Sequence, residues 1–150
     1  MKKFLLAFVL VMTGCTHGAT LVTPGGFANL GDGDHFSYRA ANAKGVVLAT
    51  RTEDNDMKAN TEFWAEALDV KLRSKGYTAE APRTVKTSRG LEGTQLRYTT
   101  THDGRAHRYW VTVFATSSKV YVVEAAGDKE PFDQQLAVVE NAITTLDASN

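Results

Sequence analysis

Two histidines, His102 and His107, flank an Asp103-Gly104 pair and could begin a zinc or copper site. Asp-Gly is a strong signal for a two-residue hairpin turn. A hairpin with this turn puts both imidazoles on one face of a sheet, in diagonal positions. Zinc in proteins takes three or four protein ligands, and the sequence offers no clear third ligand besides Asp103. We therefore interpret the pair as a solvated hairpin end and keep a metal site as the alternative.

Catalytic motifs are missing from the sequence. It contains no Gly-x-Ser-x-Gly elbow, no phosphate-binding loop and no dinucleotide fingerprint. The segment 31–34, Gly-Asp-Gly-Asp, lacks the later Glu that a calcium loop requires and is interpreted as a turn. We predict that the protein is not an enzyme and needs no cofactor. The alternative is a metal-dependent or hydrolytic periplasmic enzyme that uses His35, His102 or His107.

Aromatic and cationic side chains meet on one face of the predicted hairpin. The Asp-Gly turn pairs residues whose numbers sum to 207, so Arg97 lies opposite Trp110 and can stack on its indole ring. With Phe114 and Tyr121, these residues form a polar-rimmed aromatic patch. The patch is either a surface for a partner or a face that a helix covers.

Glu124 lies inside an apolar strand. If the turn at residues 117 and 118 has two residues, this side chain lies opposite Val111, on the face that carries the core. Burial there would disfavour the ionised carboxylate unless an Arg pairs with it. Functional sites contain such groups, and so do structural ion pairs at the rim of a sheet. We favour the structural role.

Composition places the chain among ordinary globular proteins. It has 150 residues, 43% of them hydrophobic and 23% charged, which excludes a disordered or collagen-like chain and suggests one domain. The 17 basic and 17 acidic residues balance, which argues against a nucleic-acid binder driven by a basic surface. A single Cys excludes a disulfide framework and a cysteine-cluster metal site.

Hydrophobic periodicity predicts an α+β fold, with a single antiparallel sheet of about six strands and helices packed on it. Residues 120–123, Val-Tyr-Val-Val, are apolar on both faces, so we expect helix or loop cover on both sides of the sheet. Pro82 restricts its strand to an edge or a bulge. The predicted strands are 36–40, 46–49, 77–87, 91–101, 105–115 and 120–126, and the predicted helices are 58–75 and 129–146.

The N-terminus is typical of a secretory signal peptide. Lys2 and Lys3 precede an apolar run of nine residues, 4–12, and small residues follow. A membrane-spanning helix needs about twenty residues, so this segment targets the chain and does not span a membrane. We assign residues 1–14 to the signal peptide, 15–34 to a lipidated N-terminus with a flexible tether, and 35–150 to a single α/β domain.

The exit from this segment, Met12-Thr13-Gly14-Cys15, resembles the lipobox of bacterial lipoproteins. The resemblance implies that Cys15 becomes the mature N-terminus and carries a thioether-linked diacylglycerol and an N-acyl chain. More than one acyl chain gives stable membrane anchoring. The protein would then be held in the cell envelope, facing the periplasm. Thr16, where an Asp would favour the inner membrane, favours the outer membrane.

The order of the predicted elements resembles the PsbP-like α/β sandwich, and within it the small bacterial DcrB-type lipoproteins. The resemblance covers residues 35–147 and includes the stretch 120–127, Val-Tyr-Val-Val-Glu-Ala-Ala-Gly, before a Pro-initiated helix with Phe132 and Asp133. Members of this fold mostly act by binding. It therefore implies a non-catalytic binding or assembly role, with the membrane and an envelope protein as partners, and it transfers no functional residue.

Overall fold

An antiparallel sheet of eight strands forms the centre of the fold in the computed structural model, which describes residues 18 to 148. The strands are β1 (Phe27–Asn29), β2 (Tyr38–Asn42), β3 (Val47–Asp54), β4 (Thr78–Ala79), β5 (Arg83–Lys86), β6 (Glu92–His102), β7 (Arg105–Ala115) and β8 (Lys119–Asp128). Their order is β1-β2-β3-β8-β7-β6-β4, and β5 also pairs with β6. The predicted signal peptide and Cys15 lie outside the described residues.

The β6–β7 hairpin has the turn and the register that the sequence predicted. Asp103 has φ 49° and Gly104 has φ 74°, so both central residues take the positive φ that this two-residue turn requires. Arg97 pairs with Trp110, as the sum of 207 predicts. The next hairpin also has the predicted register, since Val111 pairs with Glu124.

Helices cover both faces of the sheet, which confirms the expectation from residues 120–123. Helix α1 (Thr61–Ser74) packs on the face of Val111, Val113 and Val122. Helices α2 (Lys129–Asp133) and α3 (Leu136–Thr144) pack on the opposite face, which carries the largest core cluster. None of the helices between residues 18 and 148 is both long enough and apolar enough to cross a bilayer.

The elements differ from the predicted ones where local turns interrupt a pattern. Pro82 divides the third predicted strand into β4 and β5, both at the edge of the sheet. The last predicted helix is two helices, because the N–H of Gln135 bonds to the carbonyl of Phe132 and tightens the final turn of α2. Helix α1 begins later than predicted, after Asn60, whose side chain accepts a hydrogen bond from the Phe63 N–H.

The predicted tether is wrong for residues 18 to 34, which pack on the domain. Ala19 and Leu21 are buried in the core beside α3, and Thr20 pairs with Asp147 through backbone hydrogen bonds in both directions. Strand β1 adds the next part of the segment to the edge of the sheet. Apolar burial and backbone pairing hold this Gly- and Thr-rich stretch, so the folded domain begins at least as early as Gly18, well before residue 35.

Candidate binding site

The structure places the two hairpin histidines side by side without assembling a metal site. The ring centroids of His102 and His107 are 6.4 Å apart. His102 Nε2 lies 3.4 Å from Asp103 Oδ2, and His107 Nδ1 lies 3.5 Å from Asp128 Oδ1. Among residues 18 to 148, no group of three His, Cys, Asp or Glu side chains is arranged to hold a metal ion. The metal site that the sequence analysis kept as an alternative therefore has no third ligand in the described part of the chain.

His35 lies far from this pair. The Ser37 N–H bonds to the Thr50 carbonyl at the start of β2, and Thr50 pairs with Val123 in β8. His107 instead pairs with Asp128, the last residue of β8, five residues further along that strand. At about 3.3 Å per residue, these levels are roughly 17 Å apart along the sheet. The three histidines of the enzyme alternative therefore do not form one site.

The aromatic patch predicted as a possible partner surface is covered. Arg97 is 7% exposed and Trp110 is 2% exposed, and Phe114 and Tyr121 are buried with them. Helix α3 lies over this face, and the Phe132 ring packs on Trp110 edge-on, with centroids 5.0 Å apart. Of the two alternatives that the sequence left open, the structure has the covered face, so these side chains are not an open docking surface.

A polar network explains how Arg97 is accommodated beneath α3. Its guanidinium lies 3.7 Å from the centre of the Trp110 ring, and its Nε donates to Gln95 Oε1 at 2.6 Å. Its Nη2 donates to Glu140 Oε1 at 2.7 Å, while the Gln95 amide donates to Thr112 Oγ1 at 3.2 Å. The cation is thereby stacked, hydrogen-bonded and neutralised by its own chain, which indicates a structural role.

Glu124 also finds partners within the fold. The Tyr109 hydroxyl donates a hydrogen bond to its carboxylate, and Arg51 Nε lies 3.7 Å from Oε2. Burial, and then the neighbouring Glu124 charge and hydrogen bond, raise the pKa of the Tyr109 phenol above its usual value. Tyr109 therefore stays protonated and acts as a donor. The Arg partner that the sequence analysis named as one outcome for Glu124 is present.

A concave surface with charged walls lies beside α2, at the end of the sheet that carries the β6–β7 turn. We call it the α2 cleft. It has a volume of about 720 Å³. Its charged and polar lining residues are Arg105, Asp128, Lys129, Glu130, Asp133 and Gln134. Its walls carry charges of both signs, so the cleft can face charged groups of either sign on a partner.

Arg108 fixes one wall of the α2 cleft. It donates to both carboxylate oxygens of Asp133, at 2.9 and 3.3 Å, and to Glu80 at 2.9 Å, while Lys129 adds a 2.8 Å contact to Asp133. The hydrogen bond from Arg108, aided by Lys129, lowers the pKa of Asp133, and the bond to Asp133 raises the pKa of Arg108. Because this group of charges joins β7 to α2, the wall is preorganised.

The sequence analysis named the hairpin histidines only as weak candidates for a metal site, and it did not predict the α2 cleft. The hairpin histidines lie close by, since His107 contacts Asp128. Arg105 comes from β7, Asp128 from β8 and Lys129 from α2, and no single stretch of sequence records how these three elements pack. One signal was available: Asp128 ends a strand, and the next residues, Lys129, Glu130 and Pro131, begin a charged helix.

Comparisons with known proteins support the fold. A scan of the sequence against protein-family profiles and a search of curated proteins both give no match. Solved structures do match. Cyanobacterial PsbP (CyanoP) from Synechocystis is similar with a TM-score of 0.62 and 9% identity, over 90% of this chain and 89% of that one. A protein of unknown function from Pseudomonas aeruginosa, described as a candidate regulator, is similar with a TM-score of 0.54 and 10% identity, over 89% and 99% of the two chains.

A protein from Bacteroides thetaiotaomicron has the same fold in part of its length. The TM-score is 0.55 at 12% identity, over 88% of this chain and 45% of that one. The domain therefore has a PsbP-like fold, as the order of its predicted elements indicated. Likeness at this level of identity establishes architecture, and function has to be argued from the site.

Proposed function

We propose that this protein is a lipid-anchored component of the bacterial cell envelope whose domain binds a protein partner and performs no catalysis. One observation carries the proposal: the folded domain begins by Gly18, only three residues after Cys15 of the lipobox. An acylated Cys15 would hold the domain directly on the membrane surface, facing the periplasm. Thr16 at the position after the Cys favours the outer membrane over the inner one.

Ala19, four residues after Cys15 in the sequence, lies at the opposite end of the sheet from the α2 cleft. Ala19 joins the sheet beside Thr52, whose hydroxyl accepts its N–H, and Thr52 pairs with Tyr121 near the start of β8. The cleft surrounds Asp128 at the end of that strand. Seven residues at about 3.3 Å each put roughly 23 Å between the two levels. A membrane at the Ala19 end would leave the cleft open to the periplasm.

Two further observations favour binding over chemistry. Arg97 and Glu124, which lie inside the fold, each have their partners in the same chain. The α2 cleft presents cationic and anionic groups together, which favours a partner with complementary charges of both signs. The candidate regulator with the same fold is consistent with a non-catalytic role.

Capture experiments with two matched charge reversals test the binding role. Arg105 lines the cleft, is 71% exposed in its side chain and lies 3.3 Å from Asp128. Arg89 is 69% exposed and lies 3.1 Å from one Asp, but it is not among the residues that line the cleft. With crosslinking in intact membranes, wild type and Arg89→Glu should capture the same envelope protein, and Arg105→Glu should lose it. Retention of that protein by Arg105→Glu would contradict the assignment of the cleft.

Mass spectrometry of the mature N-terminus tests the anchor separately. We expect a chain that begins at Cys15 and carries a diacylglycerol and an N-acyl group, and a Cys15→Ser variant that partitions into the aqueous phase of a detergent extraction. A wild-type chain that begins at another residue and carries no acyl group would refute the anchor. It would leave the result for the α2 cleft intact.

A further inference from the structure

A small pocket lies between the edge strand β5 and helix α3, and it shares no lining residue with the α2 cleft. We call it the α3 pocket. It has a volume of about 240 Å³, and its charged lining residues are Arg83, Lys86, Arg97 and Glu140. These are three cations and one carboxylate. Because a cavity whose charges are mainly of one sign concentrates ions of the opposite sign, the α3 pocket is suited to an anion.

Two guanidiniums converge in the α3 pocket from neighbouring strands. Arg83 pairs with Gln95 in the sheet, and Arg97 follows Gln95 by two residues. Residues two apart on a strand share a face, so Arg83 and Arg97 are diagonal neighbours on the face beneath α3. Both approach one oxygen of Glu140, which lies 4.0 Å from Arg83 Nη1 and 2.7 Å from Arg97 Nη2. One carboxylate cannot neutralise two guanidiniums, so the pair retains a positive charge.

The guanidinium of Arg97 also has a donor left over, although the residue is only 7% exposed. Its Nε donates to Gln95 and its Nη2 donates to Glu140, whereas its Nη1 has no hydrogen-bond acceptor among residues 18 to 148. A guanidinium is a donor-only group, and leaving one of its N–H groups without an acceptor in a nearly buried position is costly. Since Arg97 lines the α3 pocket, the missing acceptor has to come from the pocket itself, from water or from the oxygen of an anion.

We propose that the α3 pocket binds a phosphate group, either as free phosphate or as the terminal group of a phosphate ester. The oxygens of phosphate point in several directions, so one phosphate can accept hydrogen bonds from Arg97 Nη1 and from the Arg83 guanidinium together. The two coplanar oxygens of a carboxylate instead match a single guanidinium. At 4.0 Å, the contact between Arg83 and Glu140 is a weak surface ion pair, which Arg83 can exchange for a bond to phosphate. The pocket is smaller than a typical site for an organic ligand, so it holds one such group.

The other two charged residues of the α3 pocket have opposite effects on a bound phosphate. Glu140 repels it, because its carboxylate lines the same pocket and competes for both guanidiniums. Lys86 attracts it from a greater distance, since its register with Glu92 places the side chain on the other face of β5. The affinity therefore depends mainly on Arg83 and Arg97. Because Arg83 is exposed to solvent and Glu140 opposes the anion, we expect weak binding, for which NMR titration is the suitable assay.

Titration of the full chain carrying Cys15→Ser with three small anions tests the pocket. At low ionic strength, inorganic phosphate should shift the side-chain N–H resonances of Arg97 and Gln95 with saturation, and acetate at the same ionic strength should not. Phenyl phosphate distinguishes the two sources of the group. Saturable shifts with phenyl phosphate as well would assign the pocket to an ester, and shifts with inorganic phosphate alone would assign it to the free anion. Saturable shifts with neither phosphate probe, or equal shifts with acetate, would overturn the proposal.

Substitutions at exposed positions then locate the phosphate. Arg83→Ala should weaken binding by at least about tenfold, because one of the two guanidiniums is lost. Arg89→Ala is the matched control, since Arg89 is 69% exposed and does not line the α3 pocket, and it should bind phosphate as the parent chain does. Glu140→Gln should strengthen binding, because it removes the opposing charge and keeps an acceptor for Arg97. Circular dichroism reports whether each variant is folded. A folded Arg83→Ala chain that binds phosphate as tightly as the parent, or weaker binding by Glu140→Gln, would refute the site.

Discussion

Replacing Arg97 by Ala tests whether the cation beneath α3 holds the fold together. Its removal deletes a hydrogen bond to Gln95, a hydrogen bond to Glu140 and a stack 3.7 Å from the Trp110 ring centre. The bond to buried Gln95 contributes about 1.5 kcal/mol or more, and the stack in a desolvated site about 1–2 kcal/mol. Glu140 is half exposed, so its share is at most about 1 kcal/mol.

The variant no longer buries a guanidinium, which offsets part of this loss of stability. The cavity that the side chain leaves behind adds to the loss. We expect Arg97→Ala to lower the free energy of unfolding by about 3 kcal/mol, which corresponds to roughly 10 °C in Tm for a domain of this size. Urea denaturation and calorimetry measure both quantities on the chain carrying Cys15→Ser. Arg83→Ala is the matched control, because Arg83 lies 4.0 Å from the same carboxylate but is mostly exposed. It should change stability by less than about 0.5 kcal/mol. A loss below about 1 kcal/mol for Arg97→Ala would refute the covered, structural role of this residue.

Three further substitutions address the cleft wall, the sheet and the N-terminal segment. Asp133→Asn should lower the free energy of unfolding by about 1–2 kcal/mol near pH 7. Because the folded-state pKa of Asp133 is lowered, the contribution of its carboxylate to stability is lost as the pH falls below about 4. Urea denaturation as a function of pH should therefore show the free energies of unfolding of the two chains converging there. Gly93→Ala should lower the free energy of unfolding by about 2 kcal/mol in the same assay, because a Cβ there would lie 2.5 Å from the Phe114 ring. Gly25→Ala is the control, since a Cβ at Gly25 meets open space and should leave stability unchanged. Leu21→Ala should lower Tm and reduce the free energy of unfolding by about 2–3 kcal/mol, because Leu21 is buried. Val22→Ala should change stability little, because Val22 is exposed. Equal, small effects of the two substitutions would instead favour a flexible tether.

The parts of the fold that could be predicted from sequence are those that one short segment determines. The Asp103-Gly104 pair sets the register of β6 against β7, because few residues other than Gly, Asn and Asp accept two successive positive φ values. The register in turn placed Arg97 opposite Trp110. The double-sided apolar run at 120–123 required cover on both faces, and the helices supply it.

The parts that could not be predicted depend on packing between distant segments. Gly-, Thr- and Pro-rich composition indicated a tether, but the burial of Leu21 depends on the surface of α3, more than a hundred residues away. The apolar residues at helical spacing in α1 include Phe63 and Ala67, yet the sheet covers only one side of that helix, and both residues are exposed. The α2 cleft likewise draws its charges from β7, β8 and α2, so no local motif records it.

Substitution of a buried charged group should affect the protein differently from substitution of an exposed one. Inside the fold, Arg97 and Glu124 lie among buried neighbours, and each has its partners in the same chain, so their replacement should change stability first. Arg105 is mostly exposed, and its ion pair with Asp128 lies at the surface, where such pairs contribute little to folding. Its replacement should therefore change binding while leaving Tm nearly unaltered. The proposed binding role needs surface charges that the fold itself does not require, and Arg105 of the α2 cleft is such a charge, whereas Asp133 in the cleft wall also supports the fold.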